Sequence, residues 1–480
     1  MKIKISIAIF VLVIACGFTI FLVVRPSESY LPEVEDDYVA QPPPQRSPSP
    51  VSEPFVMPEA VPVPAPLEIP PFEPYEGNLF PSISLTAAYD PFTMHRNTWH
   101  SGHMTLVGHD HEFENADVRI RGRGNSSWIF GAEKRPLRIR FNEPTYFFGP
   151  VPAYDWVLIA NHFDLTLMRT YLAFYLAGLL DGMDWTASAN FAHLYINGAY
   201  VGLFQISDER DIIPGRIQLV SDPDPQLSEF LFELDNSAVN SGEEGVTYFV
   251  VNEMPYDIRY PRGAALSTYH VAYLQNWVEE MTVLLQRGNF DEISQAVDLD
   301  SFVDFYIVQE FFKNIDVGFN SVFMQARGVG NARRLYFGPV WDFDRSVGNM
   351  LFWGSYEHLH AAVRNQFMRY LLQVPEVFDM VAERWAEIVD DPIVQMLARI
   401  DELLEYEQDF ERNFYAFPVW ENRPDWMDRF IPIHLQEIDT WRGQVEYMQE
   451  WFAGRVWWMS ELFIGRGELA EWWIRHLGDV

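Results

Sequence analysis

Cysteine is almost missing from this chain, with a single thiol, Cys16, in 480 residues. Cys16 lies inside an N-terminal apolar run, so the folded part has neither a disulfide framework nor a cysteine-ligated zinc site. A chain of this length buries enough core to fold without disulfides, so the shortage does not identify a compartment. Lysine is nearly as scarce, at positions 2, 4, 134 and 313 only, against thirty arginines. Beyond the N-terminal run, any chemistry that needs a lysine has two candidates, Lys134 and Lys313. Positive charge is short overall: 34 basic against 68 acidic side chains give a net charge of −34. Such a surface repels phosphate backbones and argues against nucleic acid as a partner. What the chain has in quantity is apolar (48%) and aromatic (16%) side chains, which excludes a disordered chain. Its length suits two or three domains, or one large bilobal one.

Lys2 and Lys4 precede an uncharged apolar run from Ile5 to Val24, followed by Arg25. At a rise of about 1.5 Å per residue the run matches a hydrocarbon core of roughly 30 Å, and the lysines in front place the body outside the cytoplasm. Residues 1–25 are thus expected to be a single N-terminal membrane anchor. Two alternatives are a lipoprotein with Cys16 as the lipidated residue of Val13-Ile-Ala-Cys16, and an ordinary cleaved signal. All three give an extracytoplasmic protein. Residues 26–78 carry 15 of the 32 prolines and read as an extended, semi-rigid linker.

From residue 79 to about 263 strand signals dominate. Val118 to Arg121 and Leu137 to Phe141 alternate with period two, Trp156 to Ala160 is a further strand, and Asn197-Gly198 joins two strands as a hairpin turn. A helix is expected from Asp164 to Leu180. From 264 to 480 the spacing is mainly helical. The expected fold class is α+β, with a strand-rich first lobe (79–263) and a helix-rich second lobe (264–480).

The densest chemistry lies between Asp300 and Gly348. An apolar helix ends in the polar loop Asn314 to Asn320, a tight hairpin follows, and Trp341-Asp-Phe-Asp344 stands directly after it. The hairpin brings Asn320 and Asp342 to one end of its ladder, so that Asp316, Asn320, Asp342 and Asp344 can converge. Hard oxygen donors on loops, without cysteine or clustered histidine, favour Mg²⁺ over a transition metal. A helix, an Asp-to-Asn loop, a hairpin and Asp-Phe-x in that order form the layout of a protein-kinase active site.

Gly122-Arg-Gly-Asn-Ser-Ser-Trp128, Asn197-Gly-Ala-Tyr-Val-Gly-Leu-Phe204 with Glu209 after it, Asn314-x-Asp316-x-x-x-Asn320 and Trp341-Asp-Phe-Asp344, in this order, resemble the CotH family of spore-coat-protein-H-like atypical kinases. The resemblance runs over about residues 105 to 350. It implies a bilobal atypical protein-kinase fold and transfer of the γ-phosphate of ATP, with Mg²⁺ or Mn²⁺, to Ser or Thr of coat or envelope proteins. It makes Asp316 the catalytic aspartate and Asn320 and Asp342 the metal ligands, with Asp344, where conventional kinases have glycine, a further ligand or a support of the turn. Asp316 and Asn320 are four residues apart, one fewer than in conventional kinases. The phosphate-binding set expected beside them is Lys134 first, then Arg138, with Gly122, Gly124, Asn125, Ser126 and Ser127 covering the nucleotide and Glu209 in contact with its region. Asp164 and Arg169 lie where kinases place the acidic partner of that lysine. Two other functions fit the same scaffold: a non-catalytic surface-binding protein and a nucleotidyl (AMP) transferase.

His109 and His111 have no third ligand at a recognisable spacing and read as a solvated turn. The tryptophans at 451, 457, 458, 472 and 473 read as core at helical spacing rather than as a sugar-stacking platform.

Overall fold

In the computed structural model the described residues are 72, 74–88, 96–131, 134–239, 246–351, 354–416, 431–465 and 467. The expected anchor (1–25) and nearly all of the proline-rich linker lie outside them. Among the described residues no helix is long and apolar enough to cross a membrane.

Seven strands close into a barrel: β1 (Ser82–Ala87), β2 (His100–Val107), β3 (Phe113–Gly122), β4 (Leu137–Thr145), β5 (Ala153–Ile159), β6 (Ala189–Ile196) and β7 (Ala199–Asp208), in the order β1-β2-β3-β4-β5-β7-β6. Neighbours are antiparallel except where β1 meets β6 in parallel and completes the closure. Alternation decides which face is core. Val118, Ile120, Leu137, Ile139 and Phe141 point inward with Trp156, Leu158, Phe204 and Ile206, while Arg119, Arg121, Arg138 and Arg140 point outward between them. A short helix, α1 (Ser126–Phe130), interrupts the β3–β4 connection, and α2 (Arg169–Leu179) follows β5.

The second sheet has five strands, β8 (Phe230–Leu234), β9 (Tyr248–Val251), β10 (Met254–Tyr260), β11 (Val322–Arg327) and β12 (Arg334–Phe337), ordered β12-β11-β8-β10-β9. The expected lobe boundary at 263/264 therefore cuts through one hydrogen-bonded sheet, because β11 from the later segment pairs directly with β8 from the earlier one. The change of layer instead follows the end of the barrel at Asp208.

Helices α3 (Thr268–Arg287), α4 (Phe290–Ala296) and α5 (Leu299–Phe312) fill the gap between the strands. Among the described residues seven more follow: α6 (Ala361–Arg364), α7 (Gln366–Leu372), α8 (Pro375–Ile388), α9 (Pro392–Leu403), α10 (Glu407–Ala416), α11 (Ile433–Gln436) and α12 (Trp441–Phe463). The side chains of α5 are buried on every face from Leu299 to Phe312 apart from Asp300. Such a helix needs internal partners for its polar groups. Glu310 supplies them, accepting from the backbone N–H groups of His360 (2.7 Å) and Ala361 (2.8 Å) and pairing with the fully buried Arg455 of α12 (2.6 Å). Trp451 and Trp458 are core residues of α12, whereas Trp457 is 57% exposed. Trp472 and Trp473 lie outside the described residues. His109 and His111 sit in the loop between β2 and β3.

Candidate active site

The barrel's outer face, the segment after β7 and the two loops that flank the β11–β12 hairpin enclose a cleft of about 740 Å³. Its floor is acidic. Asn314 ends the apolar run of α5, and its side chain accepts from the backbone N–H of Asp316 (3.1 Å), which turns the chain into a single 3₁₀ turn, Ile315–Gly318. The Asp316 carbonyl then accepts from the N–H groups of Phe319 (2.9 Å) and Asn320 (2.8 Å), so loop geometry rather than a helix holds both side chains. The Asn320 amide oxygen accepts from the N–H of Asn236 (3.0 Å), tying this loop to the end of β8.

After the hairpin, Asp342 adopts a left-handed backbone (φ 65°), and the hydroxyl of Ser321, also left-handed (φ 57°), donates to its carboxylate at 3.3 Å. Asp316, Asn320, Asp342 and Asp344 all line the cleft. Burial, and then Asp342, push the Asp316 carboxyl up to about 7, and burial with both neighbouring carboxylates pushes Asp344 well above its ordinary value. Like charges crowded away from water are the signature of a site that takes a cation.

The opposite wall is basic. Arg138 pairs with Asp155 (3.0 Å), Glu209 (3.3 Å) and Asp211 (3.6 Å). Burial alone would raise the Glu209 carboxyl, but Arg138, Arg210 and Arg123 outweigh it and hold the group well below its usual range. The Arg210 guanidinium lies 4.2 Å from the ring centre of Trp341 and 4.3 Å from that of Phe323, and Arg123 lies 5.6 Å from Trp341. Trp341 thus serves as an aromatic floor for two arginines.

Of the residues expected to contact the nucleotide, Gly124, Asn125, Ser126, Ser127, Arg138 and Glu209 line the cleft. Gly124 is left-handed (φ 80°), and a Cβ there would meet the Ser127 hydroxyl at 2.3 Å. Asn125 donates to the Ser237 hydroxyl (2.7 Å) and so bridges the β3–β4 connection to the turn after β8. Gly122 does not line the cleft; it is where the Trp128 ring packs, 2.3 Å from where a Cβ would stand.

Lys134 is also elsewhere. It is 4% exposed, and its ammonium lies 5.1 Å from the ring centre of Phe204, an inward residue of the barrel. The chain at 134 has not yet entered the alternation of β4, so its side chain turns to the inside of the barrel while Arg138 and Arg140 face outward. Lys313 is likewise outside the cleft, donating to the carbonyls of Ser355 (2.7 Å) and Glu357 (2.6 Å). Asp164 and Arg169 pair with each other, both fully buried, at 2.5 Å.

Burial pushes the Lys134 amine down to about 7 against the opposing charge of Asp164, and among the described residues its Nζ has no hydrogen-bond partner. Below pH 7 both folded and unfolded chains carry the proton, and the full cost of burying the charge is present. As pH rises from 7 toward the ordinary lysine value near 10.4 the folded chain is neutral while the unfolded one is still charged, so the cost fades. Lys134→Met should therefore stabilise the protein by about 1–4 kcal/mol at pH 6 and by progressively less above pH 8. Urea unfolding at both pH values checks this, and ATP affinity measured alongside should not change.

Arg123, Arg210 and Arg259 line the cleft without having been expected there. Arg123 stands inside the Gly122–Trp128 motif and Arg210 directly follows Glu209, and that adjacency is the signal for them. Arg259, on β10, pairs with Glu233 (2.5 Å), Asp257 (2.9 Å) and Asp235 (3.2 Å), and nothing in the sequence marks it.

The donor set suits a polyphosphate bound with Mg²⁺ or Mn²⁺: buried carboxylates and one amide oxygen on one side, guanidinium groups on the other. Among the described residues no group of three or more His, Cys, Asp or Glu side chains is placed to hold a metal ion by itself. Mg²⁺ in phosphoryl transfer needs none, since it takes one or two carboxylates and fills its shell with water and phosphate oxygens. No similar protein of curated function was found. A family model described as CotH kinase protein matches residues 118–459, from β3 through most of α12 and thus both walls of the cleft. The chain belongs to the CotH kinase protein family.

Proposed function

We propose that the protein is an ATP-dependent Ser/Thr protein kinase of bilobal, atypical kinase-like fold, tethered at its N-terminus and acting on extracytoplasmic coat or envelope proteins. The observation that carries this reading is the facing of buried Asp316 and Asp344 and half-buried Asp342 with Arg123, Arg138 and Arg210 across one cleft.

In this reading Asp316 accepts the proton-bearing hydroxyl of the substrate. Its raised pKa of about 7 lets it hold the hydroxyl by a hydrogen bond and take the proton as the oxygen becomes esterified. Asn320 and Asp342 would hold the divalent ion, with Asp344 behind them. The ion supplies charge neutralisation between the phosphates and the carboxylates. Arg138, fixed by Glu209, takes the place of the strand lysine, and its planar fork suits two phosphate oxygens at once. Asn125, Ser126 and Ser127 cover the cleft from above. The rate enhancement comes from positioning and electrostatics.

The test is to incubate the protein with γ-labelled and α-labelled ATP and Mg²⁺ or Mn²⁺. Label is expected on protein Ser or Thr from the γ-position only, and none after chelation. Transfer from the α-position would replace the proposal with nucleotidyl transfer. Absence of ATP binding at millimolar concentration would replace it with a non-catalytic binding protein.

A further inference from the structure

We propose that the outward face of β3 and β4, where Arg119, Arg121 and Arg140 gather at Trp99 with Arg138 beside them, docks an anionic stretch of the protein substrate and guides it toward the cleft; this rests on the kinase reading above. The antiparallel register sets Arg119 opposite Arg140 and Arg121 opposite Arg138. Like charges directly opposite each other weaken a strand pair, so two such pairs in succession call for a compensating anion. Three of the guanidinium groups converge on one indole, Arg140 at 5.0 Å, Arg121 at 5.1 Å and Arg119 at 5.6 Å from the Trp99 ring centre.

The protein's own carboxylates form ion pairs only on the β4 side, although Glu209 and Asp155 also act on Arg121 at longer range and Arg121 donates to the Asn97 amide oxygen (3.3 Å). Asp155 pairs with both Arg140 and Arg138, and Glu209 and Asp211 also serve Arg138. Among the described residues Arg119 and Arg121 have no ion pair. Arg119 is exposed, and the Nε of Arg121 is buried without a partner. Burial, and then Arg138, bring the Arg121 guanidinium down to about 10, against the opposing pull of Glu209 and Asp155. In a chain with a net charge of −34, a strip of four arginines served by the three carboxylates of Asp155, Glu209 and Asp211 is locally positive, with Arg119 and Arg121 outside any ion pair.

The strip has a direction. A cavity of about 450 Å³ lined by Arg119, Arg140 and Tyr154 shares Asp211 and Ile212 with the cleft, and Arg121 and Arg138 belong to the cleft itself. Along β3 Arg119 and Arg121, the two arginines without an ion pair among the described residues, are two residues apart, roughly 7 Å, which is the spacing of alternate side chains in an extended peptide. Guanidinium groups gathered beside an indole present paired N–H donors to carboxylate or phosphate oxygens. The occupant that fits is an extended segment of substrate with acidic or phosphorylated residues at alternate positions beside the acceptor serine.

The test uses the full chain and fluorescence anisotropy, with three probes: a labelled peptide of one serine and alternating glutamates, its glutamine counterpart, and inorganic polyphosphate. The glutamate peptide should bind at least about tenfold more tightly than the glutamine one, with a steep salt dependence. Arg119→Glu should remove that preference and leave ATP affinity and the melting temperature unchanged, because Arg119 is exposed and outside the cleft lining. Trp99→Ala should lower it about threefold or more. Equal binding of the two peptides, an unchanged preference in Arg119→Glu, or binding of polyphosphate alone would overturn the proposal. Peptide binding is read without turnover. Failure of γ-phosphate transfer with an arginine-dependent peptide preference would therefore remove the kinase reading, whereas transfer without that preference would remove only the docking surface.

Discussion

Asp342→Asn is expected to lower γ-phosphate transfer by about a thousandfold or more, near 4 kcal/mol of lost transition-state stabilisation, while leaving the protein folded. The substitution is nearly isosteric and removes one negative charge. It also suits the backbone, since Asp342 is left-handed (φ 65°), a conformation asparagine tolerates at least as well as aspartate. The Ser321 hydroxyl can still donate to the remaining amide oxygen. In the metal-free protein the change relieves repulsion, because Asp342 is among the charges that push Asp316 and Asp344 upward. The melting temperature without metal should stay the same or rise. With Mg²⁺ or Mn²⁺ the order reverses: the wild-type protein gains stability in proportion to site occupancy and the variant gains little. Thermal unfolding with and without metal, set beside initial rates with labelled ATP, separates the effects. Retention of more than a tenth of the wild-type rate would remove Asp342 from the metal site, and a fall in the metal-free melting temperature would assign the lost activity to folding.

The sequence shows the chemistry more clearly than the architecture around it. The cleft's acidic floor is legible because its residues lie on two short loops joined by one hairpin, so that local turns and strand pairing bring Asp316, Asn320 and Asp342 to the same end. The α+β class is legible for a similar reason, since β3, β4 and the β6–β7 hairpin alternate clearly. Barrel closure is not legible, because the parallel pairing of β1 with β6 joins segments about a hundred residues apart and leaves no local mark. Strand β8, Phe230–Leu234, is buried on both faces and shows no alternation, which hides its place in the second sheet. The expected boundary at 263/264 fails on that strand. Lys134 shows another limit: nearness to a glycine-bearing loop does not tell which face of a closed barrel a side chain reaches. Arg138 was legible because it lies within the alternation, and Arg259 was not, because its carboxylate partners Glu233 and Asp235 come from a different strand and the turn after it.

Arg169→Met should destabilise the folded protein by about 3–5 kcal/mol and reduce phosphate transfer with it, although Arg169 does not line the cleft. Asp164 and Arg169 are both completely buried, so the variant leaves a carboxylate in the core without its ion-pair partner, with the unbonded Lys134 ammonium still acting on it. The pair also holds the acidic floor in place. The Arg169 guanidinium donates to the carbonyls of Ser346 (3.0 Å) and Val347 (3.3 Å) just beyond Asp344, and the Thr170 hydroxyl accepts from the N–H of Phe343 (3.3 Å). Asn349 donates to the carbonyls of Asp344 and Phe163, both at 2.7 Å. Val347 is β-branched and left-handed (φ 49°), a strained conformation that persists only where the surroundings enforce it, and Arg169 is bonded to its carbonyl. With the guanidinium gone, the loop carrying Asp342 and Asp344 loses its main anchor to α2. Urea unfolding should show the drop, whereas Arg287→Met, which breaks the exposed pair with Glu292 at 3.8 Å, should cost no more than about 0.5 kcal/mol. Adding Asp164→Asn to Arg169→Met should cost less than the sum of the two single changes, because the second substitution removes the stranded charge created by the first. Additive losses would mean that Asp164 acts by capping α2, where it accepts from the Arg169 N–H at 2.8 Å, rather than as the counter-ion of the arginine.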